Sequence, residues 1–133
     1  MEPRMNTDGH GFDGPHATLT REIIGAAMEV SNTLGHGLLE KVYENALVLE
    51  LRNRGVEVEQ QPRFSVFYKN TQVGEFVPDL VVGRSVIVDT KTVDQLGAHE
   101  RGRMINYLRV TKLSIGLNIN FRHPKISWDR VLL

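Results

Sequence analysis

Phe76-Val77-Pro78-Asp79-Leu80-Val81-Val82 and, three residues further on, Val86-Ile87-Val88-Asp89-Thr90-Lys91 are the stretch that decides how this chain reads. Both runs are apolar and rich in β-branched residues, as buried strands require. Gly83-Arg84 between them is a turn signal, so the two runs read as neighbouring strands. Side chains alternate along a strand, which places Asp89 and Lys91 on one face. Pairing across the turn brings Asp79 near Asp89. Two carboxylates in so small a volume repel one another unless a cation lies between them. Magnesium suits such a pair, being a hard ion that prefers carboxylate, carbonyl and water. Lys91 beside it would orient or deprotonate a water, or stabilise charge developing on a phosphate. The same spacing also admits a plainer reading, in which Asp79 is a turn residue and Asp89 and Lys91 form an exposed strand pair.

Outward from this centre the period changes. Upstream, Val56 and Val58 alternate with acids, and Phe64, Val66 and Tyr68 alternate with Ser65 and Phe67. Lys69-Asn70 predicts a hairpin turn, followed by one strand through Val73 and Phe76 towards Leu80 and Val82. Earlier still the spacing is helical. Thr20 is the expected N-cap of a first helix carrying Ile23, Ala27, Val30 and Leu34, with Gly35 as its stop. A second helix is expected from Leu38 to Arg54, with Leu39, Val42, Ala46 and Leu49 as its inward stripe and Gly55 closing it. Downstream, a third helix fits Ala98 to Val110 with Met104, Ile105 and Leu108 inward. Ser114–Phe121 and Ile126–Leu132 follow as strands. Two helices, a meander of three or four strands, a helix and two strands predict a mixed α/β fold with helices covering a sheet.

The chain has 133 residues, a length that suits one domain. Residues 1–17 are Gly-rich and polar and read as a disordered arm before a single domain over residues 18–133. The absence of Cys excludes disulfide frameworks, thiolate metal sites and Cys nucleophiles. No run approaches the roughly 20 apolar residues of a membrane helix, and the first residues lack the apolar core of a secretory signal. A cytoplasmic protein with no membrane partner is expected. The formal net charge of zero hides a split: nine basic and fifteen acidic residues in 1–100, seven basic and one acidic in 101–133. Such asymmetry marks a polyanion-facing surface unless folding mixes the two halves.

Gly37-Leu38-Leu39-Glu40-Lys41-Val42-Tyr43 reads as G-x-x-E-x-x-Y, with Glu40 and Tyr43 one turn apart on the second helix. By helix chemistry alone, Glu40 favours the positive N-terminal end and Tyr43 packs. The stretch Leu34 to Glu44 also resembles the signature of the GxxExxY proteins, a branch of the PD-(D/E)XK nuclease superfamily. Leu51-Arg52-Asn53-Arg54-Gly55, the two runs quoted first, Asn106-Tyr107-Leu108-Arg109 and Gly116-Leu117-Asn118-Ile119-Asn120-Phe121 agree in order, so the resemblance spans about Leu19 to Leu133.

The resemblance implies a restriction-endonuclease-like αβββαβ core with a central mixed sheet flanked by helices. It also implies a phosphodiester hydrolase using Mg²⁺ or Mn²⁺. Asp79, Asp89, the Thr90 carbonyl and Glu40 would hold the metal, Lys91 would be the catalytic lysine, and a metal-activated water would attack phosphorus in line. Arg103, Tyr107 and Tyr43 are the expected substrate-side residues. Two positions depart from the family: relatives commonly carry Glu where Asp89 stands, and often Gln where Arg103 stands. An Arg there would bind a phosphate bidentately or pair with an acid and compete with the metal. The function expected is a metal-dependent nuclease acting on DNA or RNA. The alternative is a catalytically impaired nucleic-acid-binding or protein-interaction module on the same fold. A homodimer is plausible for so small a domain. No Gly-rich phosphate loop or Ser-His-Asp set is present.

Overall fold

The computed structural model describes Gly14 and residues 16–133, so the expected arm lies outside the described residues apart from its last positions. Three helices and seven strands follow in the order α1 (Ala17–Leu34), α2 (Glu40–Asn53), β1 (Val58–Gln60), β2 (Phe64–Tyr68), β3 (Thr71–Phe76), β4 (Leu80–Val82), β5 (Val86–Lys91), α3 (Ala98–Thr111), β6 (Ile115–Asn120) and β7 (Ser127–Leu132). The fold is mixed α/β, with a mixed central sheet flanked by helices, as the sequence predicts.

That sheet has the strand order β1-β4-β5-β6-β7. Only the β5–β6 pair is parallel, and α3 makes the crossover between them. β5 lies at the centre, and Val86, Ile87 and Val88 are fully buried, as a strand covered on both faces demands. On one face, Val82, Val86, Val88, Leu117 and Ile119 pack under α1 and α2. On the other, Val81, Ile87 and Val131 pack under Met104 and Leu108 of α3.

Four expectations need correction. The strands after α2 do not form a continuous meander: β1 pairs with β4, while β2 and β3 form a separate two-stranded hairpin. The expected strand from Val73 to Val82 is broken at Pro78, which has no N–H for a ladder. The first helix starts at Ala17, so Thr20 lies inside it and its hydroxyl donates to the His16 carbonyl. The early start is supported by Leu19, which packs against the core and lies close over Gly83.

The fourth correction concerns α2. Its core face is Tyr43, Glu44, Leu47, Val48 and Leu51. Of the stripe expected to face inward, Ala46 packs against the core, whereas Leu39, Leu49 and Val42 are turned out, Leu39 being 78% and Leu49 62% exposed. α2 carries two apolar stripes, and periodicity alone does not say which one meets the sheet.

The turns match their sequences. Lys69-Asn70 and Gly83-Arg84 both have positive φ, the first pair as a two-residue hairpin turn and the second in the three-residue loop that ends with Ser85. The joint between α1 and α2 is pinned by Tyr43, which is fully buried and stacks on Phe121 with ring centroids 4.8 Å apart. Its hydroxyl donates to the Gly35 carbonyl at 2.7 Å and accepts from the Leu38 N–H at 3.2 Å. Tyr43→Phe removes both bonds and keeps the ring. The expected result is a loss of about 1 kcal/mol, read as a lower Tm with unchanged circular dichroism. An unchanged Tm would mean that the joint is held by the ring alone.

Candidate functional site

Pro78 ends the hairpin and hands the chain to β4, so Asp79 stands at the mouth of the β4–β5 pair. The register Leu80↔Val88 sets Asp79 beside Asp89. The Asp79 N–H donates to Asp89 Oδ1 at 3.2 Å. The Thr90 N–H and hydroxyl donate to Asp79 Oδ2 at 2.8 and 3.0 Å. The Gln61 N–H donates to the Asp79 carbonyl at 2.8 Å, which fixes the backbone at that point. One oxygen of each carboxylate is thus engaged by the protein.

Burial raises the Asp79 carboxyl from its ordinary 3.8 to about 6, and repulsion from Asp89 and Glu44 adds to this against the opposing bonds from Thr90. Burial also raises Asp89. The Asp79 N–H, Lys91 and Arg103 pull Asp89 the other way, and Glu40 pushes it further up. A buried and a half-buried carboxylate side by side, both resisting ionisation, form a place where a cation is favoured.

Lys91 ends β5, part-buried, next to Asn120 on β6. Glu40 opens α2, and its Oε2 accepts from the Thr92 N–H at 2.9 Å and the Thr92 hydroxyl at 3.4 Å. That contact ties the start of α2 to the end of β5, and Glu40 lies close enough to raise Asp89. Asp79, Asp89, Thr90, Lys91 and Glu40 therefore come together at one end of the central strands.

Glu44 is not singled out by the sequence pattern. It is buried one turn past Glu40, accepts from Gln60 Nε2 at 2.8 Å, Gln61 Nε2 at 3.3 Å and Lys41 Nζ at 3.1 Å, and acts on Asp79. Its spacing of four from Glu40 is the one signal that carries it. Asn118 and Asn120 are buried opposite Asp89 and Lys91 on β6. Asn120 accepts from the Val93 N–H and donates to the Val93 carbonyl, which shapes the chain just past the lysine.

The expected substrate-side residues separate. Tyr43 lies in the core and is not available to a substrate. Arg103 is exposed on α3, donates from Nε and Nη2 to the Tyr107 hydroxyl, and lies near enough to Asp89 to favour its charged form. Tyr107 is half-buried and stacks on Phe76 at 3.7 Å, which joins α3 to the root of the hairpin. The basic C-terminal third is partly consumed by folding: Arg101 grips buried Asp129 at 2.7 and 3.0 Å, Arg122 meets Asp94 at 3.3 Å, and Arg130 is buried.

Among the described residues, no group of three or more His, Asp or Glu side chains converges to hold a metal. The side chains of the site offer a carboxylate pair, and the Thr90 carbonyl follows Asp89 in sequence. This all-oxygen set fits a hard divalent ion that keeps water in much of its shell, and it does not suit a soft metal.

Residues 17–131 match the model of a family described as the PD-(D/E)XK nuclease superfamily. No curated protein and no solved structure matches the chain.

Proposed function

Because the chain belongs to the PD-(D/E)XK nuclease superfamily, we propose that it is a divalent-metal-dependent nuclease of the GxxExxY branch that hydrolyses phosphodiester bonds of DNA or RNA. The observation that carries the reading is the carboxylate pair of half-buried Asp79 and buried Asp89 beside the β4–β5 ladder, with Lys91 two residues past Asp89. Gly37, Glu40 and Tyr43 support the branch. A cytoplasmic location belongs to the same proposal and is supported by the Cys-free composition. No helix among the described residues is long and apolar enough to cross a membrane.

Asp79 and Asp89 would hold Mg²⁺ or Mn²⁺ with the Thr90 carbonyl, and Glu40 would close the site from the α2 side. Bound there, the ion supplies Lewis acidity and offsets the charge of the carboxylates and the phosphate. Thr90 fixes the Asp79 carboxylate through two hydrogen bonds, and Asn120 fixes the backbone after Lys91. Lys91 holds its proton on Nζ and directs it at a non-bridging phosphate oxygen, where charge builds as water attacks. Water forms the new P–O bond and gives up a proton to solvent, and the sugar oxygen leaves with the electron pair of the old bond and takes a proton from solvent. Arg103 meets the adjacent phosphate, and its stack on Tyr107 holds the guanidinium in place.

The test is cleavage of mixed DNA and RNA substrates with Mg²⁺ or Mn²⁺ by wild type, Lys91→Ala and Asp89→Ala. Cleavage by wild type that falls at least about a hundredfold in both variants is expected. Folded wild type that cuts nothing but binds nucleic acid in a salt-sensitive way would replace the nuclease reading by that of a binding module.

A further inference from the structure

β2 and β3 form a sheet of their own, and the root of this hairpin is fixed to the carboxylate site. Arg103, which acts on Asp89, lies over the Tyr107 ring at 5.5 Å. Tyr107 stacks on Phe76 at 3.7 Å, and the Phe76 ring lies 6.5 Å from that of Phe64. Four planar groups thus lead from the site on to the hairpin. On the other flank, the chain leaves β3 through buried Pro78 directly into Asp79. The fixed φ of Pro78 makes that joint a stiff one.

Beyond the root the burial changes. Phe64 and Val66 are half-buried and Ser65 between them is exposed, the alternation of a strand with one covered face. Tyr68 continues the covered face by the same period, yet it is 62% exposed. The register shifts between Val66 and Phe67, and a bulge there bends the hairpin where its cover ends. Lys69 Nζ stands 5.3 Å from the centre of the Tyr68 ring. From residue 66 to residue 73, Lys69 is the only charged residue.

We propose that Tyr68 and Lys69 form a subsite for an unpaired nucleotide of the substrate strand, with the base stacked on the Tyr68 ring and the phosphate on Lys69. The inference rests on the nuclease reading and deepens it: the substrate is single-stranded, or carries an unpaired tail, on the side of the cut that passes Arg103. An exposed aromatic plane accepts any base, and a cation beside it with no acid near matches a sugar–phosphate chain. A duplex covers its base faces by its own stacking and leaves none for the ring. At about 3.3 Å per residue, β3 carries the tip about 17 Å from Phe76. The subsite therefore meets the strand a few nucleotides from the cut.

Fluorescence anisotropy with labelled oligonucleotides tests this on the full chain without metal, so that binding is read in the absence of cleavage. Wild type is expected to bind a single strand of mixed sequence at least about tenfold more tightly than the blunt duplex of that sequence. Tyr68→Ala is expected to weaken single-strand binding at least about tenfold and to leave duplex binding unchanged. Lys69→Gln is expected to lower the slope of log affinity on log salt by about 0.7. Phe67→Ala removes an equally exposed ring from the opposite face of β2 and is expected to change neither quantity. Tyr68→Trp is expected to keep the affinity and to lose fluorescence as the strand is added. Trp128, the one native Trp, packs against the core and gives a constant background. An unchanged Tyr68→Ala, equal losses from Tyr68→Ala and Phe67→Ala, an unquenched indole, or a wild type that prefers the blunt duplex would each overturn the subsite and leave the nuclease reading in place. A wild type that binds no nucleic acid would overturn both. A dimer in sedimentation that Tyr68→Ala splits, with nucleic-acid affinity unchanged, would overturn the subsite by assigning the ring to a protein contact.

Discussion

Asp79→Asn is expected to abolish metal-dependent cleavage and, at the same time, to make the metal-free protein more stable at pH 8. The carboxyl lies beside Asp89, and burial holds it at about 6 against an ordinary 3.8. The folded protein therefore keeps this proton up to about pH 6, whereas the unfolded chain releases it near pH 4. Folding takes up a proton across that window, so the stability contributed by the group is full below pH 4 and is lost as pH rises to about 6. A rise of that size corresponds to about 3 kcal/mol, which solvent at the part-exposed carboxyl trims to about 1–2 kcal/mol. Asn cannot ionise, and its Oδ1 still accepts from the Thr90 N–H and hydroxyl.

Denaturant unfolding without metal should show the variant ahead of wild type by that amount at pH 8 and level with it at pH 4. Mg²⁺ should raise the stability of wild type at pH 8 and leave the variant unchanged, because the ion takes up the ionised pair. Cleavage should fall more than about a hundredfold, since even residues behind metal ligands cost 10–100-fold. A variant less stable than wild type at pH 8 would show that the pair is not under electrostatic load, and the argument for a cation there would fail.

Gly116→Ala is expected to cost about 2–3 kcal/mol and to lower Tm by roughly 10 °C. A Cβ on Gly116 would come within 2.5 Å of Met104 Cγ and closer still to its Sδ. Met104 is fully buried, and the neighbours that would have to admit a new rotamer, Ile87, Leu108 and Val131, are fully buried too. The glycine is thus where α3 sits down on the sheet. Met104→Ala leaves a cavity and is destabilising alone. The double variant should cost clearly less than the two single costs together, because each change relieves the other. Additive losses in thermal unfolding would mean that the clash is relieved elsewhere, by a shift of α3 as a whole.

The elements themselves were legible because their signals are local. Lys69-Asn70 and Gly83-Arg84 adopt positive φ as the turns require, and α3 spans Ala98–Thr111 where its apolar spacing begins and ends. Asp79 and Asp89 could be brought together from sequence because a short turn and a period of two leave little freedom over ten residues; the three-residue loop Gly83-Arg84-Ser85 then sets the register. Contacts across long separations carried no such mark. The pairing of β1 with β4 around an inserted hairpin depends on Pro78 ending β3 and on which edge of β4 is free. The burial of Glu44, the tie of Glu40 to Thr92 and the capture of Arg101 by Asp129 arise between elements set by packing.

The clearest division runs through α2. Its amino acids determined a helix, its limits and the fact that apolar residues line it on more than one side. Which side meets the sheet was decided only by tertiary structure. Tyr43 stacks on Phe121 and reaches back to Gly35, and Leu47 and Leu51 fill the core under α1, which turns Leu39 and Leu49 to the outside. Hydrophobic periodicity measures how apolar a stripe is. The choice between two such stripes depends on shape and hydrogen bonds supplied by residues far away in the chain, and those exist only once the sheet has formed.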